Sequence, residues 1–395
     1  MSNAKLPDAR QRAWWSHKQG LDGSLAGSSA AEVFARTGWA RSVAGVGPYL
    51  TLFARAGLRR AAVDAALERA EIHELPSARG CTYVLPAEHF ALGLRVGQPF
   101  NEAEFKTARK LGVSDPEIAT LRASIAKALQ AGPLEPDAIR TGVGSAARSL
   151  GPEGVKKGLS TTVPLALGVM QSEGEIRRIP TNGRLDNQRY KYTLWQHNPL
   201  ANRNLSEPEA LAELARLYYR WTGPASVAEF QWFSGLGAKT AKAVLEPLAL
   251  EALSDGRLLP PEDREAFETF RIPKDPQYAL VSSLDTINQL RRDVQSLLAD
   301  EDRAAGFVHV KPGVADLPNH AILDRGRLIG LWEYDTATES IAWLSFVPPN
   351  RELRAAVSRT EDFIREDLGD ARSFSLDSPK SRAPKIALLR AGKSS

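Results

Sequence analysis

The stretch from Gly174 to Trp195, GEIRRIPTNGRLDNQRYKYTLW, limits what this chain can fold into more than any other. It reads as two alternating strands closed by an Asn182-Gly183 turn, because a type I′ turn needs positive φ at both central positions and Asn-Gly supplies it. Residues 176 to 192 hold Arg177, Arg178, Arg184, Arg189 and Lys191 against one acid, Asp186. An amphipathic helix expected over Leu159 to Gln171 leads into this hairpin, and helix followed by basic hairpin is how a winged helix meets DNA. In that reading the cations, with Asn182 and Gln188 beside them, contact phosphates. The competing reading is an ordinary hairpin with a solvated basic face.

Composition narrows the class. Of 395 residues, 25% are charged and 43% apolar, a soluble globular balance with length for two or three domains. No apolar run approaches the roughly 20 residues of a membrane span. Met1 to Arg12 is polar rather than a signal peptide, so a cytoplasmic, nucleoid-associated protein with no membrane partner is expected. A single cysteine, Cys81, rules out an internal disulfide and a cysteine-based zinc site, and six scattered histidines show no HExxH-like spacing. The glycine fragments Gly142-Val143-Gly144 and Gly235-Leu236-Gly237 lack the strand-turn-helix setting of a nucleotide site. Neither metal nor cofactor is expected. A net charge of +4 permits nucleic-acid binding without demanding it, and the distribution matters more. Positive charge collects at Arg36 and Arg41, at Arg55, Arg59 and Arg60, at Arg148, Lys156 and Lys157, and after Ser378.

The helix-then-hairpin plan recurs. Residues 8 to 100 read as four helices and a hairpin, Ile72 to Pro76 and Cys81 to Leu85, whose short connection carries Arg79. Residues 102 to 200 repeat the plan with the long basic hairpin. A third helical set runs over Glu207 to Trp221, Val227 to Phe233 and onward from Lys239. Beyond Asp255 shorter strand-like runs appear, including Phe307 to Val310, His320 to Leu323, Arg327 to Trp332 and Ile341 to Phe346, and Arg351 to Leu368 closes the fold as a helix. The expected division is a first winged helix over 1–100, a second with the long wing over 101–202, a helical third unit over 203–254, a β-rich, barrel-like domain over 255–378, and a basic flexible tail over 379–395. The fold class is α+β, mainly helical.

Four segments resemble the YcaQ/AlkZ family of winged-helix DNA glycosylases: Pro48-Tyr49-Leu50-Thr51-Leu52-Phe53-Ala54-Arg55, Arg79-Gly80-Cys81-Thr82-Tyr83-Val84-Leu85-Pro86, Gly223-Pro224-Ala225-Ser226-Val227-Ala228-Glu229-Phe230, and the strand pair around Asp324 to Trp332. The resemblance implies tandem winged helices forming a curved body, double-stranded DNA in its concave face, a C-terminal β-rich domain, and hydrolysis of the N-glycosidic bond of bulky modified bases. A monomer is expected. The family's Gln-apolar-Gln or Gln-apolar-Asp triplet would fall eleven residues before Pro48, where this chain has Thr37-Gly38-Trp39.

An oxocarbenium-like transition state needs a group that aligns water and tolerates positive charge at C1′. Thr37 can hydrogen-bond a water weakly, and Trp39 offers either a stacking surface for a flipped base or plain core packing. Arg41 and Ser42 beside them suit a phosphate, or a solvated surface. Asp22 is the nearby carboxylate candidate, with a simple turn residue as its alternative. The functional expectation is excision of an alkylated, crosslinked or phage-hypermodified base. The alternatives are a non-catalytic DNA-binding protein on the same scaffold, and a protein-interaction scaffold with incidental charge.

Overall fold

Short capped helices build the first third of the chain in the computed structural model, which describes residues 7–201, 203, 205–306, 308 and 316–393. Asp8 accepts from the Gln11 amide to start helix Ala9–Lys18. Ser29 and Glu32 form a capping box on Ala30–Thr37. Pro48 sits in the first turn of Gly47–Ala56, which Gly57 closes in the left-handed region at φ 70°. After helix Arg60–Glu68, three strands form an antiparallel sheet: β1 (Ala40–Arg41), β2 (Ile72–Pro76) and β3 (Thr82–Pro86), in the order β1-β3-β2. Arg41 lies opposite Tyr83 and Ala40 opposite Val84.

Helix Phe90–Lys110 spans residue 100, the position of the first expected division. Helices Asp115–Leu129, Pro136–Val143 and Val163–Ser172 then close around Leu121, Ile125, Ile139, Ala166 and Met170. The basic hairpin follows as β4 (Ile176–Pro180) and β5 (Tyr190–Leu194). Its strands fall where the alternation placed them, but the two-residue turn is replaced by a long connection, since Pro180 pairs with Tyr190. Gly183 has φ 74°, whereas Asn182 stays out of the positive region and uses its side-chain oxygen to accept from the Arg184 amide. The connection folds back on the body: Leu185 is 1% exposed in a first core that also holds Phe34, Tyr49 and Leu52, and its amide donates to the Tyr49 hydroxyl at 3.0 Å.

The third helical set appears as Glu207–Thr222, Val227–Ser234 and Ala238–Leu245. A short ribbon of β6 (Glu251–Ala252) and β7 (Leu258–Leu259) precedes the main sheet. That sheet holds β8 (Tyr278–Val281), β9 (His320–Asp324), β10 (Arg327–Asp335) and β11 (Ser340–Ser345). Its order, β11-β10-β9-β8, is that of an open antiparallel meander, so the barrel-like expectation is corrected: among the described residues no sheet closes. Asp324-Arg325-Gly326 does make the turn between β9 and β10, with Arg325 and Gly326 both at positive φ. The strand expected over 307–310 lies, Val308 apart, outside the described residues. Helix Arg351–Phe363 packs its Leu353, Ala356, Val357 and Phe363 into the first core.

The tail expected to be flexible is a helix, Pro379–Arg390, capped by Ser378. Composition hid it, because its apolar contribution is only a few side chains: Ile386 and Leu389 enter the core of the main sheet, while Arg382, 3% exposed, pairs with Asp370 at 2.7 Å. No described helix is long and apolar enough to cross a membrane.

Candidate active site and nucleic-acid interface

Thr37 and Trp39 end up in the core. The Thr37 hydroxyl donates to the Val33 carbonyl at 2.8 Å, and the Thr37 carbonyl accepts from the Gln19 amide at 2.8 Å. Trp39, 1% exposed, donates its indole N–H to His89 Nδ1 at 3.1 Å and packs 5.5 Å from the Trp221 ring. Gly38 between them has φ 101°, and a Cβ there would come within 2.6 Å of Leu290. Neither side chain meets solvent, so the packing reading of Trp39 describes the geometry. Asp22 serves a turn: one oxygen lies 2.6 Å from His17 Nδ1 and the other accepts from the Ser24 amide at 3.1 Å. Burial alone would raise the pKa of this carboxyl, but those hydrogen bonds outweigh it and lower it to about 2.

A recess of about 200 Å³ lies between the first sheet, helix Val227–Ser234 and the segment 284–292. Arg41 projects from β1 over the Tyr83 ring at 5.6 Å. Arg79, held at φ 59° in the tight β2–β3 connection, lays its guanidinium against the Trp232 indole. Arg292, also at positive φ, lies 4.3 Å from the same ring. It grips Asp316 through Nε at 3.0 Å and Nη2 at 2.7 Å, and the Gln289 amide donates to the same carboxylate at 3.1 Å. Burial opposes ionisation of Asp316, yet the Arg292 and Gln289 bonds leave its pKa below the usual aspartate value. Burial pushes the Tyr83 hydroxyl up to about 12, so it stays a neutral phenol. Three guanidiniums and one carboxylate thus line a single recess, with Arg79 and Arg292 against the Trp232 indole and Arg41 over Tyr83, a set suited to phosphate oxygens.

Of the residues anticipated from sequence, Arg41 and Arg79 come together here. The wing residues lie elsewhere and are largely engaged. Arg177 stacks 5.0 Å from Trp195 and Arg178 4.9 Å from Tyr190, both half-buried. Arg184 pairs with Asp186, and Arg189 with Glu135 at 2.9 Å. The Gln188 amide donates to the Ser375 carbonyl; Asn182 is exposed and Lys191 half-buried. Lys156 pairs with Glu153 at 2.7 Å on the second unit, next to exposed Lys157. Ser42 turns away from the recess and hydrogen-bonds Glu74, whose carboxyl burial pushes up. Trp232, Gln289, Arg292 and Asp316 were missed by sequence reasoning. The Arg291-Arg292 pair is a usable signal; Asp316 is the sole acid between Asp302 and Asp324, and no motif around it marks it.

Comparison with known proteins gives a consistent result. The family model described as "DNA glycosylase AlkZ-like" matches residues 45–370. No curated relative matches the sequence. Among solved structures, Streptomyces sahachiroi DNA glycosylase AlkZ is similar with a TM-score of 0.65 at 16% identity, over 92% of this chain and 97% of that one.

Proposed function

This chain belongs to the AlkZ-like DNA glycosylase family, and from that premise we propose that it hydrolyses the N-glycosidic bond of a bulky modified base in duplex DNA at the Arg41–Arg79–Arg292 recess. The single observation that carries this reading is the juxtaposition of two guanidiniums on the Trp232 indole with the Arg292–Asp316–Gln289 cluster. In this reading the helices and hairpins act as tandem winged helices around double-stranded DNA, and the protein works as a monomer.

The chemistry follows from charge. The target nucleotide leaves the stack at the cost of a few kcal/mol. Arg41 and Arg79 take its flanking phosphates, and the Trp232 indole, against which Arg79 lies, fixes the direction of that guanidinium. As the C1′–N bond breaks, its electron pair departs with the base and positive charge grows on the sugar. The Asp316 carboxylate faces that charge and accepts a hydrogen bond from the attacking water, whose oxygen bonds to C1′ while its proton leaves to the carboxylate or to solvent. Asp316 is a weak base because Arg292 neutralises it. It therefore suits a substrate whose base is already a good leaving group, as an alkylated or crosslinked purine is, better than a neutral hypermodified cytosine.

The test is abasic-site formation, read by alkali cleavage, on duplexes carrying N7-alkylguanine, an interstrand crosslink or a hypermodified cytosine. Cleavage of the first two, abolished in Asp316→Asn with DNA binding retained, is expected. The burial of Thr37 and Trp39 favours a second reading, DNA binding without catalysis; salt-dependent binding with no abasic product from any duplex would select it.

A further inference from the structure

The turn Phe374–Asp377 stands at the rim of the recess and lies outside the 45–370 region that carries the family match. Among the described residues five large apolar side chains are exposed, and two of them share this turn: Phe374 at 45% and Leu376 at 90%. A lone exposed leucine needs no explanation. Two apolar side chains at alternate positions of one tethered turn, beside three arginines, are a different matter.

The turn is held at both ends. The Ser375 amide donates to the Val43 carbonyl at 3.1 Å, and the Gln188 amide donates to the Ser375 carbonyl. The Phe374 amide donates to the Asp377 carboxylate at 2.9 Å, and the Asp377 amide returns to the Phe374 carbonyl at 3.1 Å. One residue earlier, the Ser373 hydroxyl lies 2.8 Å from that of Ser283. The Ser373 carbonyl also presses so closely on Gly45 that a Cβ there would stand 2.0 Å from it. Ser378 then caps the following helix. Such a tip is ordered before it meets a partner, so binding does not incur the cost of ordering a loop.

We propose that Phe374 and Leu376 form a wedge that enters the base stack of duplex DNA and fills the space left by an extruded nucleotide. Phe374 lines the same recess as Arg41 and Arg79, so an apolar point stands beside the two guanidiniums that take phosphates in that reading. That pairing of chemistry is what stack-penetrating proteins use: cations hold the backbone while a Phe or Leu separates a base step. The inference rests on the functional reading above for its ligand, and it adds the residues that hold the stack open.

The test uses the full chain and a duplex with 2-aminopurine next to an abasic analogue, where unstacking raises fluorescence. Wild-type protein should raise the signal. Leu376→Ala and Phe374→Ala should lose most of that rise and weaken binding about tenfold, with the slope of log K against log salt unchanged. Phe374→Leu should restore part of both. A rise of wild-type size in both alanine variants would overturn the wedge, and so would a wild-type dimer that Leu376→Ala converts to monomer. Abasic-site formation by wild type without any fluorescence rise would also overturn it while leaving the glycosylase reading in place. Absence of DNA binding by wild type would overturn that reading as well.

Discussion

Arg292 holds Asp316 with two parallel hydrogen bonds, at 3.0 and 2.7 Å, although the residues stand on separate segments of the chain. The pairing keeps the carboxylate charged in acid. An aspartate with a lowered pKa carries its negative charge down to a pH below its ordinary value of about 3.9. If that charge faces the sugar cation, the acid limb of the activity profile should lie below that point. In Arg292→Gln the limb should move up toward it, because the largest cause of the lowering is removed. Initial rates of abasic-site formation against pH in the two proteins measure this.

Salt dependence should separate the recess from the wing. Removing one phosphate-binding cation should reduce the magnitude of the log–log slope by about 1. Arg41→Ala with Arg79→Ala should therefore flatten it by about two. Replacing Arg177, Arg178 and Arg184 should weaken binding while flattening it less, since Arg184 already pairs with Asp186 and the other two lie half-buried on aromatic rings. Fluorescence anisotropy titrations across a salt series give both slopes.

Stability should depend heavily on one buried pair. The Arg55 and Asp285 side chains are both 0% exposed and bonded at 2.7 and 2.8 Å, and Gln19, Thr286 and the Thr51 carbonyl also accept from the guanidinium. Asp285→Ala leaves a buried charge unpaired and should cost about 3–5 kcal/mol. Arg55→Met combined with Asp285→Leu removes both charges and should recover much of the loss. Urea midpoints of the two variants decide it.

Acid should also act through His73. It is 1% exposed, edge-on to Trp195 at 5.3 Å, and burial, helped by Arg177 and Arg178, lowers its pKa to about 3. Between that value and the unfolded value of about 6.5 the unfolded chain binds a proton that the folded chain refuses. Stability therefore falls as pH drops through this window, by up to about 1.4 kcal/mol per unit from this group. His73→Phe should flatten the melting temperature against pH over the same range, measured by scanning calorimetry.

Much of the fold was legible because helices announce themselves by caps and period. Helices Glu207–Thr222 and Val227–Ser234 lie within a residue of the spans expected from sequence, each opened by a serine capping box. The long connection after Pro180 was not legible: Asn182-Gly183 is a good local turn, but burial of Leu185 against Tyr49 outweighs it. The recess was half legible. Arg41 and Arg79 stand out beside recognisable hairpin strands, whereas Trp232, Arg292 and Asp316 acquire meaning only once packing joins three distant segments. Trp39 shows the converse, an aromatic placed where chemistry was sought and used for packing against Trp221.

Helix Pro379–Arg390 starts beyond the region of family similarity, yet it lies along β10 and β11 and sends Ile386 and Leu389 into the core that those strands share with Leu323 and Leu331. A fragment trimmed at residue 370 would bare that apolar strip and strand Asp370 without Arg382. The border that similarity draws is therefore not a border at which the protein can be cut, and an expression fragment designed on it should aggregate.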